Sequence, residues 1–196
     1  ARNPAWRGSL DTWRDRLRDW SRYPDRANTE HADLVFDGHL AYGSVDLDAE
    51  FRIVLGEKTS GNRALAQALA QPALALDIPP DAETRVDLKR YGLLPVTAAA
   101  RALAVRHGIA ASSTPERFAA ACSVGVMTPA VRDRLDEVQS RLQGWLLRQQ
   151  IDDLDAGRTP TKGVDTQDMP VIERQSLQCC FERIRELPAV VRAGLS

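Results

Sequence analysis

The chain has 196 residues, 43% of them hydrophobic and 27% charged, with a formal net charge of -1. That length suffices for one core or for two small helical subdomains sharing one. The balanced charge excludes a global basic field that would recruit nucleic acid or an anionic membrane, and no apolar run approaches the ~18 residues of a membrane span.

The three cysteines, Cys122 and the adjacent Cys179 and Cys180, are odd in number and have no metal-like spacing. Neither a signal-peptide pattern nor a disulfide framework is present, so reduced thiols in a cytoplasmic protein are expected, with Cys122 or Cys180 as small core residues. The chain begins without an initiator methionine, which leads us to expect a piece of a longer protein.

Taken in order, Asn3-Pro4 predicts a helix to about Trp20 with Trp6, Leu10, Trp13, Leu17 and Trp20 as one apolar stripe. Asn28 or Thr29 is expected to cap a second helix through Leu34, Val35 and Phe36. Gly38 and Gly43 then break the pattern. Here Gly43-Ser44 followed by Asp46-x-Asp48 is similar to a nucleotidyltransferase signature, in which a Gly-Ser turn holds triphosphate and two carboxylates bind magnesium. The spacing argues against it, because a strand and its connection need about nine or more residues between turn and carboxylates. Ser44 or Asp46 is better placed as the cap of a third helix, from about Asp46 to Leu55. His31, Asp33, Asp37 and His39 fit no common metal-ligand spacing, so no metal is expected there. Ser60-Gly61-Asn62 introduces another helix through Leu65 and Leu69, ending near Pro72.

Leu74, Leu76 and Ile78 alternate, Pro79-Pro80-Asp81 turns, and Thr84, Val86 and Leu88 alternate back, which predicts one short hairpin. The hairpin feeds a charged turn at Asp87 to Gly92 and a central helix marked by Leu94-Pro95 at its start and Gly108 at its end. Alanines at positions 98, 99, 100, 102 and 104 keep that helix thin, so neighbours can approach closely. Thr114-Pro115-Glu116 starts the next helix, with the Thr114 hydroxyl as its expected cap. Thr128-Pro129 starts the longest, to about Ala156, with Val131, Leu135, Val138, Leu142 and Trp145 as its stripe and Leu147, Ile151 and Leu154 resuming it after a shift. After a Gly-, Pro-, Thr- and Asp-rich loop, Leu177, Phe181, Ile184, Leu187 and Val191 predict its antiparallel mate, which Pro188 should end or kink. The expected fold is therefore all-α, a bundle with long antiparallel helices and one short β-hairpin. It divides into an N-terminal helical part (1–72) and a part with hairpin, central helix and long helices (73–196), within one compact domain.

The residues around the central helix resemble a known family. Asp87-Leu88-Lys89, Gly92-Leu93, Pro95 and the run from Ala100-Arg101 to His107-Gly108-Ile109 resemble the bacterial nucleotidyltransferase substrate-binding domain, found downstream of a nucleotidyltransferase domain. Asn3-Pro4, Trp6, Leu10 and Trp13 look like its opening segment. Thr114, Glu116 and Arg117 look like its Thr-x-Glu-Arg, and Glu173-Arg174 with Leu177 like its closing helix. Asp37, Gly43 and Asp46 correspond to an Asp and Gly-x-x-Asp-like pattern, with His39 where arginine is expected.

This resemblance implies a non-catalytic helical module of a nucleotidyltransferase whose catalytic domain lies upstream, with kinship to PII uridylyltransferases and glutamine-synthetase adenylyltransferases. In those relatives a Lys and a Gly-Leu-Arg-Asp motif begin a comparable helix. Lys89 and Gly92-Leu93 match, whereas Leu94-Pro95 replaces Arg-Asp. Magnesium and a nucleoside triphosphate are implied for the full-length protein, and a nucleotide or protein acceptor as partner. Candidate substrate-binding residues are Lys89, Arg90, Gly92, Arg101, Asp37 and Asp46. Position supports Lys89 and Arg90 independently: cations beside the positive end of a helix are unfavourable for folding unless an anion occupies the place. Composition alone allows a second class, a helical interaction or regulatory module with no reacting ligand.

Overall fold

The computed structural model describes residues 6–38, 40–78 and 84–196. Its secondary structure is helical apart from one two-stranded antiparallel sheet. By contacts the chain forms two compact units. The first holds residues 1–69 and 100–121, and the second holds 70–99 and 122–194. Residues 100–121 thus join the N-terminal helices, whereas the sequence reading divided the chain at residues 72 and 73.

The first unit is built from α1 (Leu10–Arg22), α2 (Arg26–Phe36), α3 (Val45–Thr59), α4 (Arg63–Leu69), the second half of α6 (Leu94–His107) and most of α7 (Thr114–Ser123). Helix α1 begins later than expected, because the Ser9 hydroxyl accepts the N–H of Thr12 and so caps the first turn at Leu10. Asn3-Pro4 lies outside the described residues. The tryptophan stripe faces inward, as its spacing implies, with Leu17 and Trp20 buried and Trp6, Leu10 and Trp13 half-buried. The rings of Trp6, Trp13 and Trp20 lie 6.1 to 6.3 Å apart, Phe51 of α3 stands edge-on to Trp13, and His31 of α2 lies 5.3 Å from Trp20. Tilted and edge-to-face pairs of this kind bind three helices through large apolar rings.

Asp25, not Asn28 or Thr29, caps α2, accepting the N–H of Asn28. The Asn62 side chain caps α4 through Leu65 N–H and ties it to α1 through the carbonyl of Ser21. Ala100, Ala102, Leu103, Ala104 and Val105 of α6 are all buried in this unit. Gly108 ends the helix at φ +65°, a conformation that glycine adopts without strain, and a Cβ there would meet the Ser60 hydroxyl at 2.5 Å. Helix α7 is capped by Ser113 rather than Thr114. The Ser113 hydroxyl accepts Glu116 N–H and the Glu116 carboxylate accepts Ser113 N–H, a reciprocal capping box.

The second unit contains α5 (Gln71–Leu74), β1 (Arg85–Val86), a π-type turn (Lys89–Leu93), the first half of α6, α8 (Pro129–Asp155), β2 (Val164–Asp165), α9 (Val171–Ile184) and α10 (Leu187–Leu195). Thr128 caps α8 through Val131 N–H, and the helix runs 27 residues, or about 40 Å at 1.5 Å per residue. Helix α9 packs against it antiparallel. Arg183 meets Glu137 at one end and Arg148 meets Glu173 at 2.9 Å at the other. As expected from Pro188, α9 stops at Ile184, and α10 restarts with that proline in its first turn, where its missing N–H costs nothing. Leu135, Val138, Leu142, Trp145 and Leu146 of α8 are buried. Leu147, Ile151 and Leu154 are 59%, 48% and 62% exposed and do not continue the core stripe. A helix packed on one side keeps one apolar face inside, and these three lie on the other.

The small sheet corrects the strand pairing read from the sequence. β1 pairs antiparallel with β2, Arg85 opposite Asp165 and Val86 opposite Val164. Leu74 instead closes the turn of α5, and residues 75–78 form no strand. Pro79-Pro80-Asp81 lies outside the described residues. Alternation marks a strand without naming its mate, and here the mate lies in the loop after α8, held also by Thr166 donating to the carbonyl of Thr84. Cys180 is buried, with its thiol pushed up to about 11 by burial, while Cys122 is half-buried and Cys179 exposed; all three are free thiols.

Candidate functional site

The cationic turn belongs to the second unit. Asp87 organises it: its carboxylate accepts the N–H of Arg90 and its carbonyl that of Tyr91. Pro95 cannot supply the N–H that an ordinary α-turn would use, and the chain enters α6 through a wider π-turn, in which Leu94 N–H reaches back to the carbonyl of Lys89. Gly92 is buried beneath the turn against α8, where a Cβ would meet Leu142 Cδ1 at 2.5 Å. Gly92 is thus a site of close packing. Lys89 and Arg90 are exposed. Arg90 lies over the ring of its neighbour Tyr91 and pairs with Asp77 at 2.7 Å, with both side chains more than half exposed. Pairs as open as this contribute about 0–1 kcal/mol.

Arg101 and Asp37 belong to a different cluster, in the first unit. Asp33 on α2 and Asp37 at its C-terminal cap stand four residues apart, and Arg101 reaches both carboxylates. Arg101 of α6 donates to both, with Nε at 3.1 Å from Asp37 Oδ1. Arg117 of α7, 1% exposed, donates to Asp37 Oδ1 at 2.7 Å, to the carbonyl of Phe36 at 2.7 Å and to that of Ala111 at 3.0 Å. Two guanidinium groups and two carboxylates therefore balance formally. Burial opposes the charge on Asp37, but the hydrogen bonds from Arg101 and Arg117 outweigh it and hold the carboxyl below its ordinary range. Burial raises Asp33, with Arg101 offsetting only part of the rise. Arg117 is lowered by burial despite its bonds to Asp37.

The structure thus joins Asp37 to Arg101, keeps Lys89, Arg90 and Gly92 together in the turn, and leaves Asp46 apart from both. Asp46 sits exposed in the first turn of α3. The Ser44 hydroxyl caps that helix through Leu47 N–H, and Asp48 pairs with Arg52 at 2.9 Å. These residues form a helix start, in which the Ser44 hydroxyl and the Asp48 carboxylate already have partners within the helix. His31 packs on tryptophan rings, Asp33 and Asp37 face arginines, and His39 lies outside the described residues. Among the described residues, no group of three or more His, Cys, Asp and Glu side chains could hold a metal ion. Among the same residues, no helix is long and apolar enough to cross a membrane.

Two polar clusters escaped sequence reasoning. The Asp33 and Arg117 arms of the quartet had a signal: the i, i+4 aspartates and the arginine after the Thr-Pro-Glu start. Asp153 had none. Its 1%-exposed carboxylate accepts Thr161 N–H at 2.9 Å, Thr161 Oγ at 2.8 Å and Arg158 at 3.0 Å, and these bonds hold it down to about 2. Besides Gln149 one turn earlier on α8, its partners sit five and eight residues onward in an irregular loop, where no periodicity applies.

Residues 63–194 match the family model described as "Putative nucleotidyltransferase substrate binding domain". The match contains the cationic turn, Gly92, Arg101 and Arg117, and leaves the opening tryptophans, Asp33, Asp37 and Asp46 outside. No curated protein and no solved structure matches the chain. Because the matched segment spans more than half of the 196 residues and includes the turn and helix described above, the chain belongs to the nucleotidyltransferase substrate-binding domain family.

Proposed function

We propose that this chain is the acceptor-binding helical module of a bacterial nucleotidyltransferase, working beside a catalytic domain that carries the magnesium and the nucleoside triphosphate. Cytoplasmic uridylyl or adenylyl transfer, in a signalling role, is the chemistry this reading favours. The chain would itself transfer no nucleotide. The hydroxyl at position 44 and the carboxylate at position 48 are occupied by a helix cap and by Arg52, and Asp46 lies exposed in the same first turn.

The observation that carries the reading is the contrast between the two sets of arginines. Arg101 and Arg117 are buried and bound to carboxylates and carbonyls, which suits a scaffold that fixes α2, α6 and α7. Lys89 and Arg90 are exposed at the start of α6, and Asp77 holds Arg90 by only an open pair. A phosphate or carboxylate of the acceptor can replace Asp77 at little cost and gain the positive helix end as well. In this reading Gly92 lets the turn lie close on α8, while Arg101 and Asp37 act by holding the scaffold.

The test is Lys89→Ala and Arg90→Ala in the full-length nucleotidyltransferase, with thermal stability measured beside transfer. The expected result is a fall in kcat/KM of about tenfold or more per charge, arising mainly in KM for the acceptor, at unchanged Tm. Wild-type kinetics in both folded variants would refute the assignment of the turn.

A further inference from the structure

The outer face of α8 in the second unit carries an apolar stripe that the core does not use. Gly144, Leu147, Ile151 and Leu154 follow one another at three, four and three residues, the spacing of a helix-pairing seam. The three large side chains are about half exposed or more. A Cβ on Gly144 would have nothing within 4 Å, so a neighbouring helix could approach closely there. Ile172, 69% exposed, precedes the Glu173 that meets Arg148 and adds apolar surface beside the stripe.

The charges beside this seam decide what fits it. Arg148 lies next to the stripe toward its start, 63% exposed, and Asp155 lies on the same flank toward its end. Asp152, also exposed, lies near it. A second α8 laid antiparallel across the stripe sets Ile151 against Leu154 of the partner subunit and Arg148 against Asp155 of the partner subunit. The same contacts then repeat in the reverse sense. Such self-complementarity is the mark of an isologous two-fold interface. A parallel copy would carry this flank to the opposite side of the seam, so that no Arg148 could meet an Asp155 across it. We propose that the outer face of α8 is a homodimer interface, formed antiparallel about a two-fold axis between Ile151 and Leu154. The stripe is short, so the dimer falls at the weak, low-area end of specific interfaces.

The test is sedimentation equilibrium of the whole 196-residue chain over a concentration series. The wild type is expected to self-associate to a dimer. Leu147→Glu with Ile151→Glu should abolish dimerisation with unchanged circular dichroism, since both positions are exposed. Arg148→Asp alone and Asp155→Arg alone should each weaken the dimer about tenfold or more, because each sets like charges against each other twice. An equimolar mixture of the two variants should recover it as a heterodimer, in which both contacts are again between opposite charges. A wild type that stays monomeric overturns the proposal. So does a dimer indifferent to Leu147→Glu with Ile151→Glu, or a mixture that fails to recover association. A full-length protein that is monomeric and loses thermal stability on Leu147→Glu would place another of its own domains on the stripe and likewise overturn the second copy.

Discussion

Removing the guanidinium of Arg117 should unfold the first unit more readily than any surface change. Arg117→Met keeps most of the aliphatic stem while deleting donors to Asp37, Phe36 and Ala111. Three hydrogen bonds from a charged donor at about 1.5–3 kcal/mol each would sum to more than is realistic, because the methionine regains apolar packing and Asp37 keeps Arg101. Breaking one partner of a buried ion pair costs about 3–5 kcal/mol, and the partial exposure of Asp37 places this case near the lower end. The measurement is urea unfolding followed by tryptophan fluorescence, which suits a unit whose Trp6, Trp13 and Trp20 form one cluster. A shift of midpoint at constant m-value gives the cost directly. Asp37→Asn and the double variant close a thermodynamic cycle, with a coupling of about 1–3 kcal/mol expected between groups in direct contact. Phe118→Ala, removing a fully buried ring of the same helix, serves as a reference at about 3–5 kcal/mol. If Arg117→Met cost less than about 1 kcal/mol while Phe118→Ala cost its full amount, the quartet would not hold the unit together and the scaffold argument would fail.

Arg90→Ala, by contrast, should move stability by no more than about 0.5 kcal/mol, measured in the same urea series, since its pair with Asp77 is open to solvent. Gly92→Ala should cost about 1–3 kcal/mol, because its Cβ would meet Leu142 at 2.5 Å, and Leu142→Ala in the same chain should relieve part of that overpacking. Gly163→Ala should detach β2 from β1, since its Cβ would meet the carbonyl of Val86 at 2.5 Å and backbone cannot yield as a side chain does; faster amide exchange at Val86 and Thr166 would report it. Asp153 has a folded pKa of about 2, below its ordinary 3.8, so its stabilisation is complete above about 4 and is lost as the pH falls through about 2. Asp153→Asn should flatten the fall in Tm across that acid window, and an unchanged slope would count against the clamp.

The helix starts and stops were legible because they are local. A hydroxyl before a proline, or a glycine after a periodic run, satisfies or releases backbone groups within one turn, as at Thr128-Pro129 and Gly108. Where the reading misplaced a cap, at Asp25 and Ser113, it erred by a few residues among side chains of equal capping ability. The tryptophan stripe and the α8–α9 pair were legible for the same reason, since periodicity states which face is apolar.

What sequence could not decide was which distant groups meet. Val86 reads as a strand residue in either pairing, and only the folded chain chose Val164 over the segment before Pro79. Leu147, Ile151 and Leu154 have the spacing of a core stripe, yet burial depends on which side the neighbouring helices take, and they took the other. Arg101 and Arg90 carry the same charge beside the same helix. Whether each is buried between carboxylates or left open to solvent depends on elements brought together from far along the chain. Burial and charge pairing are long-range properties, and they alone separated the scaffold arginines from the exposed turn.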